Sequence, residues 1–218
     1  MTDDVKPRRR YESRRRAEQA ERTRTDVLEA AGVLFREQGY GAPMTAIAAR
    51  AGVVVETVYR IFGSKASLFT AVIEALLAGG PARARTPVED RPAIRAIREE
   101  PDARRQVARY AATQPGIHRR AGPLLRALRD AKGGDPELTR LWDELEAGRY
   151  AGQARFVDAL AVRHALRPGL TEDQAKDQLW ALCSLAVYDA LVRDRGWADE
   201  AYEAWLSRNL AIELLGCP

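Results

Sequence analysis

The side chains of this 218-residue chain best equipped for chemistry form a short run of donors near its amino end: Thr45, Arg50, Thr57, Tyr59, Arg60 and Lys65. Two hydroxyls, a phenol, two guanidiniums and an ammonium offer hydrogen bonds and positive charge, which phosphate oxygens and the acceptor atoms of base edges require. Nothing around them pairs a nucleophile with a base. The two histidines, His118 and His164, have no neighbouring cysteine, and the chain carries no H-E-x-x-H and no G-x-S-x-G. Gly63-Ser64-Lys65 holds the residue types of a phosphate loop, but in the wrong order and without the preceding glycines and strand. These residues point to binding rather than bond breaking, with no cofactor, no metal and no enzymatic activity expected.

Aiming such donors in one direction takes rigid elements, and the surrounding residues supply them. Residues 45–65 read as two short helices joined by a tight turn, followed by the lysine-bearing start of another helix. Ile47, Ala48 and Ala51 make an apolar stripe at helical spacing, and Gly52 then stops the helix where a residue without Cβ is cheapest. In the next helix Val58, Ile61 and Phe62 can pack inward, which turns Thr57, Tyr59 and Arg60 out. Upstream, Val27, Ala31, Leu34 and Phe35 share one face of a helix predicted from about Arg22 to Gln38, with Gly39 as its stop. The pattern is a helix-turn-helix, and it predicts contact with a DNA duplex.

Three stretches carry a family resemblance: V-L-E-A-A-G-V-L-F-R-E-Q-G-Y at 27–40, T-A-I-A-A-R-A-G-V at 45–53 and E-T-V-Y-R-I-F-G-S-K-A-S-L at 56–68. In order and spacing, residues 24–77 resemble the DNA-binding region of the TetR family of bacterial transcriptional regulators, over about a quarter of the chain. The resemblance implies a homodimer on a palindromic double-stranded operator. It also implies a small-molecule effector bound among the middle helices, and a shift passed through the helix after Lys65 that changes the spacing of the recognition helices and relieves repression. Thr45, Thr57, Tyr59 and Lys65 are expected on phosphates, with Arg60 and Arg50 reaching base edges. Plainer roles also fit: Thr45 as a helix cap, Tyr59 packed on the first helix, Arg50 as a solvated face residue. The chain departs from the family at Val54, where a capping serine is usual, at Glu56, where a small residue is usual, and at Ile61, where histidine is common.

Charge is placed unevenly. Residues 1–65 hold thirteen Lys/Arg against nine Asp/Glu, and the remainder holds twenty-two of each, so the whole net charge of +4 lies with the motif. Lys6, Arg8, Arg9, Arg10, Arg14, Arg15 and Arg16, interrupted only by Glu12, are expected to form a basic disordered arm over 1–21, suited to phosphates or a minor groove or else a solvated tail. Cys183 and Cys217 have no neighbouring Cys or His for a disulfide framework or a metal site and read as buried or incidental thiols. No apolar stretch follows the basic amino end, and the longest apolar runs are interrupted by Glu74 or Asp189, which predicts a cytoplasmic protein without a membrane partner.

Helical periodicity runs through the rest, so the expected fold is all-α: an arm at 1–21, a three-helix helix-turn-helix domain at 22–66, and a larger helical ligand-sensing and dimerisation domain at 67–218. Ser64 is expected to cap a helix ending at Gly79-Gly80-Pro81, and residues 79–92 to form the loosest connection. Pro115 is expected to divide two helices, 102–114 and 116–132. Asp135-Pro136 starts a long helix, and Thr171 with Gln174 opens another that Gly196 closes, before a last helix from Asp199. Leu179, Cys183, Val187, Leu191, Trp205, Leu206 and Leu210 on the last two helices are expected at a dimer interface, or else in the core. Tyr110, His118, Trp142, Phe156, Trp180 and Tyr188 are the candidate pocket residues, since rings with polar tips line apolar cavities, though rings at helical spacing also serve as plain core. The alternative function is an architectural or ligand-independent DNA-binding protein, which the basic arm alone would support.

Overall fold

The computed structural model describes the backbone of residues 6–216 and the side chains of residues 15–216, so Cys217 and the contacts of Lys6, Arg8, Arg9, Arg10 and Arg14 lie outside the described residues. The described residues form helices and turns without a strand, in two compact units that divide between Ala84 and Arg85.

In the first unit α1 runs Lys6–Gln38, α2 Met44–Arg50, α3 Val55–Phe62, α4 Lys65–Ala78 and the short α5 Pro81–Ala84. The stretch expected as a disordered arm is therefore helical from Lys6 onward. Its sequence explains this: Glu18, Arg22 and Asp26 recur at four-residue spacing with alternating sign, and no glycine interrupts before Gly32. Further along α1, Val27, Ala31, Leu34 and Phe35 are buried where α1 packs with α2 and α4, and Ile47, Val58, Leu68, Phe69, Val72 and Ile73 are buried in the same unit. Each of the Val, Leu, Ile and Phe side chains among them contributes roughly 1.5–3 kcal/mol through removal from water. Phe35 and Phe69 meet edge to face at 5.0 Å, and Tyr40 meets Phe69 at 5.5 Å. Because Leu68, Phe69, Val72 and Ile73 fill this core, α4 packs with the helix-turn-helix, although the sequence parts the domains after residue 66.

The second unit holds α6 Pro92–Glu99, α7 Ala103–Ala131, α8 Pro136–Arg163, α9 Glu172–Leu182, α10 Leu185–Tyr188, a π-helical continuation Asp189–Asp194, and α11 Asp199–Leu215. Packing of α7 along α11 and of α8 along α9 encloses Val107, Val157, Leu160, Leu179, Tyr202, Leu206 and Leu210. Starts follow the expected caps: Asp135 accepts from the Glu137 amide at 2.8 Å, and Thr171 and Gln174 complete both arms of a capping box.

Two boundaries differ from expectation. Pro115 does not divide a helix pair but sits inside α7, as does Pro123. The carbonyl that Pro115 leaves without its helix donor is that of Ala111, one residue beyond the Tyr110 carbonyl, which accepts from the Thr113 hydroxyl at 2.7 Å. The helix expected from Thr171 to Gly196 is interrupted at Cys183, because Ser184 adopts an extended backbone and its hydroxyl accepts from the Val187 amide, capping a new start.

Candidate nucleic-acid interface

Two hydrogen bonds set the turn that aims α3. The Val53 amide donates to the Ala48 carbonyl at 3.0 Å and the Gly52 amide to the Ala49 carbonyl at 3.2 Å, with Gly52 in the left-handed region at φ +68°. This is a Schellman closure, and it requires the glycine that follows Ala51. The chain then enters α3 at Val54, whose side chain caps nothing. Val58 and Phe62 are buried and Ile61 half-buried, while Arg24 of α1 lies 4.6 Å over the Phe62 ring and ties α1 to α3. The inward residues expected from the motif are thus inward, and the opposite face is left to solvent.

That face presents the candidate donors unequally. Tyr59 is 47% exposed, so its ring is not spent on α1, and Arg60 beside it is exposed as well. Thr57 is half-buried in the first turn of α3. Thr45 is exposed in the first turn of α2, where Pro43 holds the cap position, so Thr45 does not cap. Arg50 is exposed and borders a shallow depression with Asp26 and Glu29 of α1. Lys65 opens α4 behind Ser64, whose hydroxyl accepts from the Ser67 amide at 3.0 Å, and its ammonium lies 5.0 Å over the Tyr40 ring. Tyr40 is the positioning partner that the list of donors omitted. The glycine-tyrosine pair at 39–40 and the lysine at 65 were visible in the sequence, but only the fold brings ring and ammonium together. A lysine held over a ring at a helix start, where backbone amides also face outward, suits a phosphate.

Of the six pocket candidates, Tyr110, Phe156 and Tyr188 share the core of the second unit, and His118 joins them through Tyr188. Tyr110 stacks on Phe156 at 4.2 Å. His118 stacks on Tyr188 at 4.7 Å, and Tyr202, absent from the candidates, meets Tyr188 edge to face at 5.1 Å. Trp142 and Trp180 lie apart from these, under Lys132 and Arg149 respectively. His118 is 5% exposed and Tyr202 fully buried, yet neither imidazole nitrogen nor the Tyr202 hydroxyl has a hydrogen-bond partner. Burial, then the charges of Arg149 and Arg126, hold the His118 pKa down to about 4, so the ring is neutral. Tyr188 donates to Asp199 at 2.8 Å, and burial pushes the Cys183 thiol up to about 12, leaving it protonated. An open groove of about 740 Å³ at the α7–α8 turn is lined by Lys132, Asp135, Thr139, Arg140, Asp143 and Ala147 among others, and by none of the six candidates.

Of the residues expected at a dimer interface, Leu179, Cys183, Leu206 and Leu210 lie in the core of the second unit itself. Val187, Leu191 and Trp205 pack against that core and keep partial exposure, and Ile212 on α11 is exposed.

Residues 27–72 match the family described as bacterial regulatory proteins, tetR family. Among solved structures, NalD of Pseudomonas aeruginosa, the secondary repressor of the MexAB-OprM multidrug efflux pump, is 24% identical with a TM-score of 0.67, over 90% of this chain and 97% of that one. The transcriptional regulator FadR of Bacillus subtilis, solved with stearoyl-CoA, is 16% identical with a TM-score of 0.61, over 88% of this chain and 98% of that one. At these identities the likeness is one of fold. No curated protein matches the chain.

Proposed function

We propose, from the match of residues 27–72 to the tetR family of bacterial regulatory proteins, that this chain acts as a homodimeric repressor on a palindromic operator and is released by a small molecule. The observation that carries the reading is the outward face of α3, where Tyr59 and Arg60 stand exposed on a packed three-helix support, with Lys65 fixed over Tyr40 at the start of the next helix. Phosphate contacts by Thr45, Thr57, Tyr59 and Lys65 set the register, and Arg60 selects bases. Arg50, beside Asp26 and Glu29, takes the lesser part.

Pairing follows from information content, because one helix-turn-helix touches too few base pairs to stand out among genomic competitors. Residues still partly exposed on the last helices, Val187, Leu191, Trp205 and Ile212, are the surface offered to a second copy. The effector reading is supported by the interior of the second unit, where neutral His118 and the Tyr202 hydroxyl are buried without partners and can receive the polar atoms of a ligand. The reading is supported also by FadR, a protein of similar fold solved in complex with stearoyl-CoA.

Selection from a random duplex library, followed by footprinting, tests the reading. An inverted repeat with discrete protection supports a regulator, and Arg60→Ala relaxes preference at one position of each half-site. Uniform protection without a motif supports the architectural alternative and overturns the proposal.

A further inference from the structure

The outward stripe of α3 contains a carboxylate. Glu56, Tyr59 and Arg60 are exposed at positions i, i+3 and i+4 of the same helix, so Glu56 shares the face that Arg60 presents, and Val54, 66% exposed, stands at its leading end. Resting on the regulator reading, we propose that Glu56 is a specificity-determining residue that accepts a hydrogen bond from the N4 amino group of a cytosine in the major groove, with Val54 against the 5-methyl group of a neighbouring thymine.

The reason is the charge of the partner. A carboxylate carried toward a polyanion raises the energy of every complex in which it finds no donor. Within the major groove the bases offer amino donors at cytosine N4 and adenine N6, and a carboxylate, which only accepts, suits cytosine, whereas adenine also presents an acceptor at N7. Glu56 thus penalises duplexes without the cytosine more than it rewards the right one, and so discriminates by repulsion. Val54 adds a contact of another kind: it has no polar atom with which to reach a phosphate, and an apolar side chain on that edge gains from a methyl group. A plainer role for Glu56 is electrostatic support of a helix start that Val54 leaves uncapped, since a negative charge in the first turn favours the helix dipole.

The two roles separate in one experiment. The full-length protein, Glu56→Gln, Glu56→Ala and Val54→Ala each select from the same random library, and affinities for the enriched duplex are measured over a range of salt. Wild type is expected to require cytosine at one position of the half-site, with about a 5- to 100-fold loss when it is replaced. In Glu56→Ala that preference vanishes at the one position, other positions keep theirs, and binding to unrelated duplexes tightens. In Glu56→Gln the preference moves toward adenine, which glutamine meets at both N6 and N7. Uracil in place of the adjacent thymine weakens wild type about fourfold and leaves Val54→Ala unaffected. An unchanged motif in both Glu56 variants, with only their thermal stability lowered, overturns the inference in favour of helix support. A wild-type protein that enriches no motif at all would instead overturn the regulator reading beneath it.

Discussion

Lys65 gains its usefulness from Tyr40. A lysine ammonium on four rotatable carbons loses entropy when it is held in one place, and a ring 5.0 Å beneath it pre-orders the charge before DNA arrives. If Lys65 neutralises one phosphate, Lys65→Ala lowers the magnitude of the slope of log affinity against log salt by about 0.9 and weakens all sequences alike. Fluorescence anisotropy across a salt series measures this, and an unchanged slope refutes the phosphate role. A second residue-level consequence concerns His118. Its folded pKa of about 4 lies below the ordinary value of 6.5, so the unfolded chain takes up the proton first as pH falls. The stability that the neutral ring supports is complete above pH 6.5 and is lost progressively between 6.5 and about 4, by up to roughly 3 kcal/mol. Denaturant melts at a series of pH values should show that loss in wild type and a shallower one in His118→Phe, and equal slopes would contradict the buried neutral assignment.

At the scale of elements, turn geometry controls where the donors point. Gly63 closes α3 at φ +79° and ψ −54°, a conformation that a residue with Cβ enters only under strain. Gly63→Ala is expected to destabilise the first unit by about 1–2 kcal/mol and to weaken DNA binding, because it disturbs the junction that sets α3 against Ser64 and Lys65. Thermal melting with the same anisotropy assay checks both. Elements announced by a local device were legible in the sequence: Ser64, Asp135 and Thr171 as caps, Gly52 and Gly79 as stops, and the inward residues of α1 to α4. Elements that depend on tertiary context were not. Pro115 reads locally as a break, but α7 runs through it, and Ser184 sits within an apolar run where only its hydroxyl hints at a new helix start. For the same reason Leu179, Leu206 and Leu210 read as a dimer interface, with the core as the alternative, whereas all three are buried within the second unit. The donors expected at the site are exposed or half-buried, whereas the contact of Lys65 with Tyr40 spans twenty-five residues and no spacing rule gives it.

For the whole molecule, the proposed homodimer requires two copies of α3 to enter successive major grooves about 34–36 Å apart, or a multiple of that. Charge concentrated in residues 1–65 draws any duplex, and specificity has to come from the two faces docking together. The most direct measurement is competitive binding at physiological ionic strength between a duplex enriched from a random library and unselected duplex of equal length, with the mass of the complex determined in the same solution. The account predicts a preference of about a thousandfold or more and two chains on each inverted repeat. Equal affinity for both duplexes, or a single chain bound with full specificity, would contradict it.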